Sequence, residues 1–221
     1  MATRLVLAEL LRAHEHATGI AVHMASVGGV DAARRVAEGE HFDVVVLASD
    51  AIDRLIDAGH LAAGSRVDLV RSEVAVAVKE GAAVPDLGSE AAVREAVLAA
   101  ATIGYSTGPS GTALIRLFQR WGIADAVQSR LVQARAGVPV ASLVASGEVA
   151  LGFQQRSELL DVPGVRVVGG LPNGIAIITT FSAGCPRLPA PAAVCSLLAF
   201  LQSAEADAVK RRHGMAPARS A

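Results

Sequence analysis

The chain has 221 residues, a formal net charge of -1, and 52% hydrophobic but only 3% aromatic residues. That length suits one large domain or two small lobes, and the apolar content excludes wholesale disorder. The near-zero charge argues against nucleic acid or an anionic membrane as partner, and the few aromatics leave little surface for stacking bases.

Thr3 caps a helix whose Val6, Leu7, Leu10, Leu11 and Ala17 recur at helical spacing, and Gly19 ends it in the left-handed conformation. Residues 20–26 are strand-like. Ser26-Val27-Gly28-Gly29-Val30-Asp31 is a glycine-rich turn into a short helix, 31–38, closed by Gly39. Residues 42–47 are almost wholly apolar, as expected of a strand covered on both faces. Ser49 or Asp50 caps a helix through Ile52, Leu55 and Ile56, stopped by Gly59. This alternation with short connections predicts a parallel sheet with right-handed crossovers. The chain opens on a helix, where such lobes usually open on a central strand.

Residues 74–78 form a further strand, and the compositional break at 81–85 marks a lobe boundary. Residues 91–101 are helical and 102–105 form a strand. That strand leads into a second glycine turn, Ser106-Thr107-Gly108-Pro109-Ser110-Gly111. Leu114, Leu117, Phe118 and Trp121 then stand at i, i+3, i+4 and i+7, with Gly122 at the helix end. Pro139 fits the first turn of a helix over 140–145, closed by Gly147. Short strands follow at 150–153 and 165–168, and a strand at 175–180 returns to the first lobe. The last helix, 192–212, carries Lys210, Arg211, Arg212 and His213 in its final turn, read as a solvated basic end. The expected lobes are 1–80 with 181–221, and 81–180, with crossings near 79–85 and 179–184 acting as a hinge around a ligand cleft.

A strand turning sharply into a helix leaves backbone amides unpaired at the helix start, which suits an anion. In the second turn Gly108 and Gly111 permit close backbone approach, and Ser106, Thr107 and Ser110 add hydroxyls. Gly28 and Gly29 offer a weaker version in the first turn. Neither a GxxxxGK loop nor a GxGxxG fingerprint is present, which argues against nucleotides. Gln154 and Gln155 follow the apolar strand Leu151-Gly152-Phe153 and are placed to face a cleft, and Thr179, Thr180 and Ser182 sit on the return strand. His14, His16, His23, His41, His60 and His213 lack metal-ligand spacing and are read as surface residues; no metal or cofactor is expected. Asp31, Asp50 and Asp53 are read as caps, and Cys185 and Cys195 as free thiols. Tyr105, the sole tyrosine, abuts the second turn and is either a packing residue or a general acid–base.

The order of the first glycine turn, Asp43-Val44-Val45-Val46-Leu47-Ala48-Ser49-Asp50, Ile103-Gly104-Tyr105-Ser106 with its turn, Gly137-Val138-Pro139-Val140, Glu148-Val149-Ala150-Leu151-Gly152-Phe153 and Arg212-His213-Gly214-Met215 resembles the molybdate-binding, type II periplasmic-binding-protein family of ABC importers. The resemblance covers nearly the whole chain. It implies an α/β, type II periplasmic-binding-protein fold: two α/β lobes with a hinged interlobe cleft that holds a small oxyanion or carboxylate. Carried over by position, ligand contacts fall near Gly29 or Val30, Ser110, Val138 and Gln155. The chain departs from the family where Val27-Gly28-Gly29-Val30 replaces a serine run and where Gln155 replaces a tyrosine. Those departures resemble the aconitate isomerase branch, which implies an alternative activity: moving a double bond in an unsaturated polycarboxylate by proton abstraction and return. The family's first strand falls before Met1, and an open sheet edge there invites a homodimer. As written, Glu9 and Arg12 interrupt the first apolar run too early for a secretion signal, so the expectation is cytoplasmic. A start upstream with a signal peptide implies instead a periplasmic protein with a membrane permease as partner.

Overall fold

The computed structural model describes residues 2–135 and 137–218. The chain divides into two compact units, Met1–Ser72 with Thr179–Ala221, and Glu73–Ile178.

The first unit opens with α1 (Arg4–Thr18), which turns Val6, Leu10, Leu11 and His14 inward and ends at Gly19 with φ 72°. His14 was expected at the surface. Its i, i+4, i+8 spacing from Val6 and Leu10 puts it on the buried face, where Nε2 meets Ser196 Oγ at 3.1 Å beside the Phe200 ring. Residues 20–26 do not form the expected strand. They pair with no neighbouring strand among the described residues, and the Val22 amide instead donates to Glu15 Oε1 at 2.6 Å. A lone extended segment without a ladder is only an exposed loop.

Next come α2 (Gly29–Ala37), β1 (Val45–Ala48) and α3 (Ser49–Asp57). Ala48, not Ser49 or Asp50, occupies the cap of α3, and Asp50 is drawn to Arg54 at 2.9 Å. Asp53 likewise holds Arg66 at 2.7 Å. β2 (Val67–Lys79) is far longer than expected, because its 13 residues serve both units.

The second unit continues with α4 (Glu90–Ala99), β3 (Ile103–Tyr105), α5 (Pro109–Arg120), α6 (Ala124–Val127), β4 (Leu131–Gln133), α7 (Val140–Ser146), β5 (Leu151–Gln155), α8 (Arg156–Leu159) and β6 (Val165–Gly170). Ser89 caps α4 by accepting the Ala92 amide. The chain returns to the first unit through β7 (Ile178–Gly184), α9 (Ala192–Leu201), α10 (Ala204–Arg212) and β8 (Ala216–Pro217).

The expected single C-terminal helix is broken by 60° between α9 and α10. Ser203 causes the break by acting as an N-cap, accepting the Ala206 amide at 3.2 Å. The solvated basic end holds for Arg211 and Arg212, which are exposed, and is corrected at Lys210, which is 2% exposed with Asp207 at 3.4 Å; Arg212 and His213 reach Glu9 at 2.6 and 2.8 Å.

The ladders correct the all-parallel expectation. In the first unit β1 runs antiparallel to β7, and β8 antiparallel to β2. The second unit is mixed: β4, β3 and β5 are parallel neighbours, and β5 and β6 flank β2 antiparallel. Its core gathers Val76, Val93, Val97, Ile103, Leu114 and Phe118. The first unit builds one cluster around Val6, Leu10, Leu69 and Leu201 and another around Leu47, Ile52 and Leu55.

Candidate functional site

Three parallel strands deliver their carboxyl ends to one edge of the second unit. Tyr105 at the end of β3 stands opposite Phe153 of β5 and Gln133 of β4. The turn 106–111 after β3, the segment leading to α7 after β4, and Gln154 and Gln155 at the end of β5 therefore collect on that edge. Ligands of open α/β sheets sit at such edges.

Two glycines let α7 lie tightly on the sheet beneath the edge. Gly104 and Gly152 are register partners, and a Cβ on either would meet Val140 Cγ1 at 3.0 and 3.1 Å. A Cβ on Gly152 would also come within 2.5 Å of Val144 Cγ2.

In the turn, the Ser106 and Ser110 hydroxyl oxygens are 3.2 Å apart. Ser110 is buried and Thr107 is exposed. Gly111 is demanded by contact, since a Cβ there would stand 1.8 Å from the Ser106 carbonyl oxygen. Gly108 caps α5. Its carbonyl accepts the amides of both Gly111 and Thr112, at 3.0 and 3.2 Å, and Pro109 has no amide hydrogen. The helix start thus has fewer open amides than the sequence suggests, because its first turn closes on Gly108. The hydroxyl pair carries more of the turn's polar character.

Gln154 and Gln155 are both buried and point to opposite faces of the sheet. Gln154 shares the α7 face and its Oε1 accepts the Ala141 amide at 3.1 Å. Its side chain also hydrogen-bonds Glu158, so it works as an internal strut. Burial pushes the Glu158 carboxyl above its ordinary value, and the Gln154 bond opposes that rise. Sequence reasoning missed Glu158. Its signal was an acid four residues past Gln154, one helical turn beyond the strand end.

Gln155 shares the other face with Phe153, whose ring meets Phe118 of α5 edge-on at 6.3 Å. Tyr105 lies on that same face, half-buried, within 3.2 Å of where a Cβ of Gly111 would stand. Val138 is 39% exposed and its amide is already given to the Arg135 carbonyl at 2.9 Å.

The remaining sequence candidates belong to the first unit. Gly28 caps α2 and its carbonyl accepts the Ala32 amide at 2.9 Å. Gly29 has only Leu47 Cδ2, at 3.9 Å, near its side-chain position, and Val30 is 73% exposed. Thr180 is half-buried on β7, near Ser182, whose hydroxyl donates to Asp68 at 2.6 Å. Among the described residues no group of three His, Cys, Asp or Glu is placed to hold a metal ion.

Two α/β units, with a hydroxyl-lined turn on a parallel-strand edge, define a two-lobe solute-binding protein. The pattern of the family described as bacterial extracellular solute-binding protein matches residues 1–216, and the chain belongs to that family. A relative from a Pseudomonas species, described as aconitate isomerase, is 36% identical over 218 residues, covering 95% of this chain and 82% of its own. Among solved structures, the periplasmic molybdate-binding protein of Azotobacter vinelandii superposes with a TM-score of 0.77 at 20% identity, covering 96% of this chain and 94% of its own. A tungstate-binding protein from Desulfovibrio alaskensis gives 0.69 at 16% identity, covering 97% and 93%. At such identities these two structures bear on the fold.

Proposed function

We propose that the chain binds a small oxyanion or carboxylate reversibly at the carboxyl edge of β3, β4 and β5. The observation that carries this reading is the Ser106–Ser110 hydroxyl pair, held at 3.2 Å where α5 begins. Gly111 keeps the turn closed against the Ser106 carbonyl, and the α5 dipole favours negative charge beside those hydroxyls. Gln155 and Tyr105, on the α5 face, supply an amide and a phenol to the same ligand.

A thermal-shift panel of molybdate, tungstate, sulfate, phosphate, citrate, cis-aconitate and trans-aconitate tests this. A ligand at about 100 times its Kd adds roughly 2.7 kcal/mol to stability. Ser110→Ala, which removes the hydroxyl without adding volume at this buried position, should weaken that response and leave a folded protein. An unchanged response in this variant puts the ligand elsewhere.

A second reading is favoured by the 36% identity to the Pseudomonas aconitate isomerase. In it the chain removes a proton next to a carboxylate of an unsaturated polycarboxylate and returns one at another carbon. The α5 dipole and the serine hydroxyls stabilise the dienolate-like intermediate, and Tyr105, on the same face of the sheet, carries the proton. Incubation with cis-aconitate, followed by chromatography for the trans isomer, decides it. A sample that cis-aconitate stabilises but does not convert is a binding protein.

A further inference from the structure

An open groove of about 300 Å³ begins at Gly111 and runs along α5. Its floor is Tyr105 and Gln133, register partners on β3 and β4 and therefore on one face of the sheet. Its wall is Thr112, Ile115, Arg116 and Gln119, a stripe at i, i+3, i+4 and i+7 of α5. The groove exists because β4 pairs only with β3 among the described strands. The helix turns Leu114 and Phe118 toward the core and leaves the outer floor uncovered.

Arg116 makes no hydrogen bond or ion pair among the described residues, whereas Arg120, one turn on, is committed to Glu90 at 2.8 Å. One guanidinium, two amides, a phenol and a hydroxyl thus line a groove that begins at Gly111, the last residue of the serine turn. The serine turn itself holds no cationic side chain, and Arg116 is the cation that lines the adjoining groove.

We propose that this groove is the subsite for a second carboxylate, so that the ligand is an extended polycarboxylate with one carboxylate on the Ser106–Ser110 turn and another on Arg116. This rests on the ligand site of the proposed function and names its substrate class. Arg116 is the specificity-determining residue, since a planar guanidinium fork matches a carboxylate in two parallel bonds. The groove volume suits part of a small molecule rather than a protein segment.

Calorimetric titration of the full chain with trans-aconitate and with sulfate tests the inference, using wild type, Arg116→Gln and Arg116→Lys. Arg116 is exposed and makes no ion pair among the described residues, so both variants should melt like wild type without ligand. The expected result is a loss of about tenfold or more in trans-aconitate affinity for Arg116→Gln, with sulfate affinity unchanged. Arg116→Lys should recover part of the loss. Equal trans-aconitate affinity in wild type and Arg116→Gln overturns the subsite and leaves the turn as the ligand site. Wild type that binds sulfate but not trans-aconitate also overturns it. Wild type that binds neither probe overturns both the subsite and the reading beneath it.

Discussion

The two glycine-rich turns look alike on paper and differ in kind in space. The turn at 106–111 follows a real strand, and its last glycine is locked against a backbone carbonyl, with 1.8 Å between that oxygen and a hypothetical Cβ. The turn at 26–31 follows a loop, and nothing lies within 4 Å of the side-chain position of Gly28. Gly111 is required by contact, while Gly108 in the same turn meets only Ser106 Oγ at 3.9 Å. The glycines of the turn at 26–31 sit at a helix start that many residues would accept. Glycine spacing therefore identifies a constrained turn only when a paired strand fixes the chain entering it.

Substituting one glycine from each turn breaks this comparison most sharply. Gly111→Ala forces Cβ into the Ser106 carbonyl, and backbone cannot swing aside as a side chain can. The expected loss is about 3 kcal/mol, at the upper end of overpacking costs, together with the ligand response. Gly29→Ala meets only Leu47 Cδ2 at 3.9 Å and lies inside α2, so it should stabilise by about 0.5 kcal/mol. Urea denaturation of both variants checks this. Equal effects would mean that neither turn is held by the contact described.

The next effect concerns how the edge is supported. Gly152→Val puts methyl groups where Val144 Cγ2 already stands 2.5 Å from a Cβ. α7 must lift off β5, at a cost of about 2 kcal/mol. The shift also pulls the Ala141 amide from Gln154, so thermal midpoint and ligand affinity should fall together. A variant that loses stability while keeping wild-type affinity would show that α7 does not help to position the site.

In the second unit the sequence made the strand, the turn and the helix after it legible. Hydrophobic spacing placed α5, and the Ser/Gly turn at its start holds the close contact that makes Gly111 necessary. The strand at 20–26 failed because strand-forming residues carry no information about whether a ladder partner exists. His14 differs for the opposite reason: its period places it with Val6 and Leu10 on the buried face, although its residue type is usual at the surface. The bend at Ser203 was hidden because a serine inside an apolar helical pattern reads equally well as a cap or as an interruption. No motif marks Glu158 or Arg116, since each is placed by a neighbour on another element, Gln154 of β5 for the one and the β3 and β4 groove floor for the other.

Glu158 sharpens the contrast between the buried strut on the α7 face and the open groove on the α5 face. Burial raises its carboxyl from the ordinary 4.5, so the folded state holds a proton that the unfolded chain has released. Stability from this group is present in full below 4.5 and declines as pH rises through the folded value. Glu158→Gln should remove that decline and be the more stable protein toward neutral pH. Denaturant midpoints measured from acid to neutral for both proteins show it. Parallel curves would mean that the carboxyl is not held up by burial.

The smallest effect returns to the first turn. Gly28 holds the cap of α2 in an extended conformation, φ -60° and ψ 145°, which any residue adopts. The cap has no side-chain hydrogen bond, and the space around it is open. Gly28→Ser places a hydroxyl within reach of the amides of the first helical turn, and such a cap outperforms glycine by a few tenths of a kcal/mol, about 0.3. A gain of that size with ligand affinity unchanged means that Gly28 serves the helix alone. A gain in stability paired with altered affinity means that the loosely held turn is also a ligand contact, through its backbone path and not through glycine's lack of a side chain.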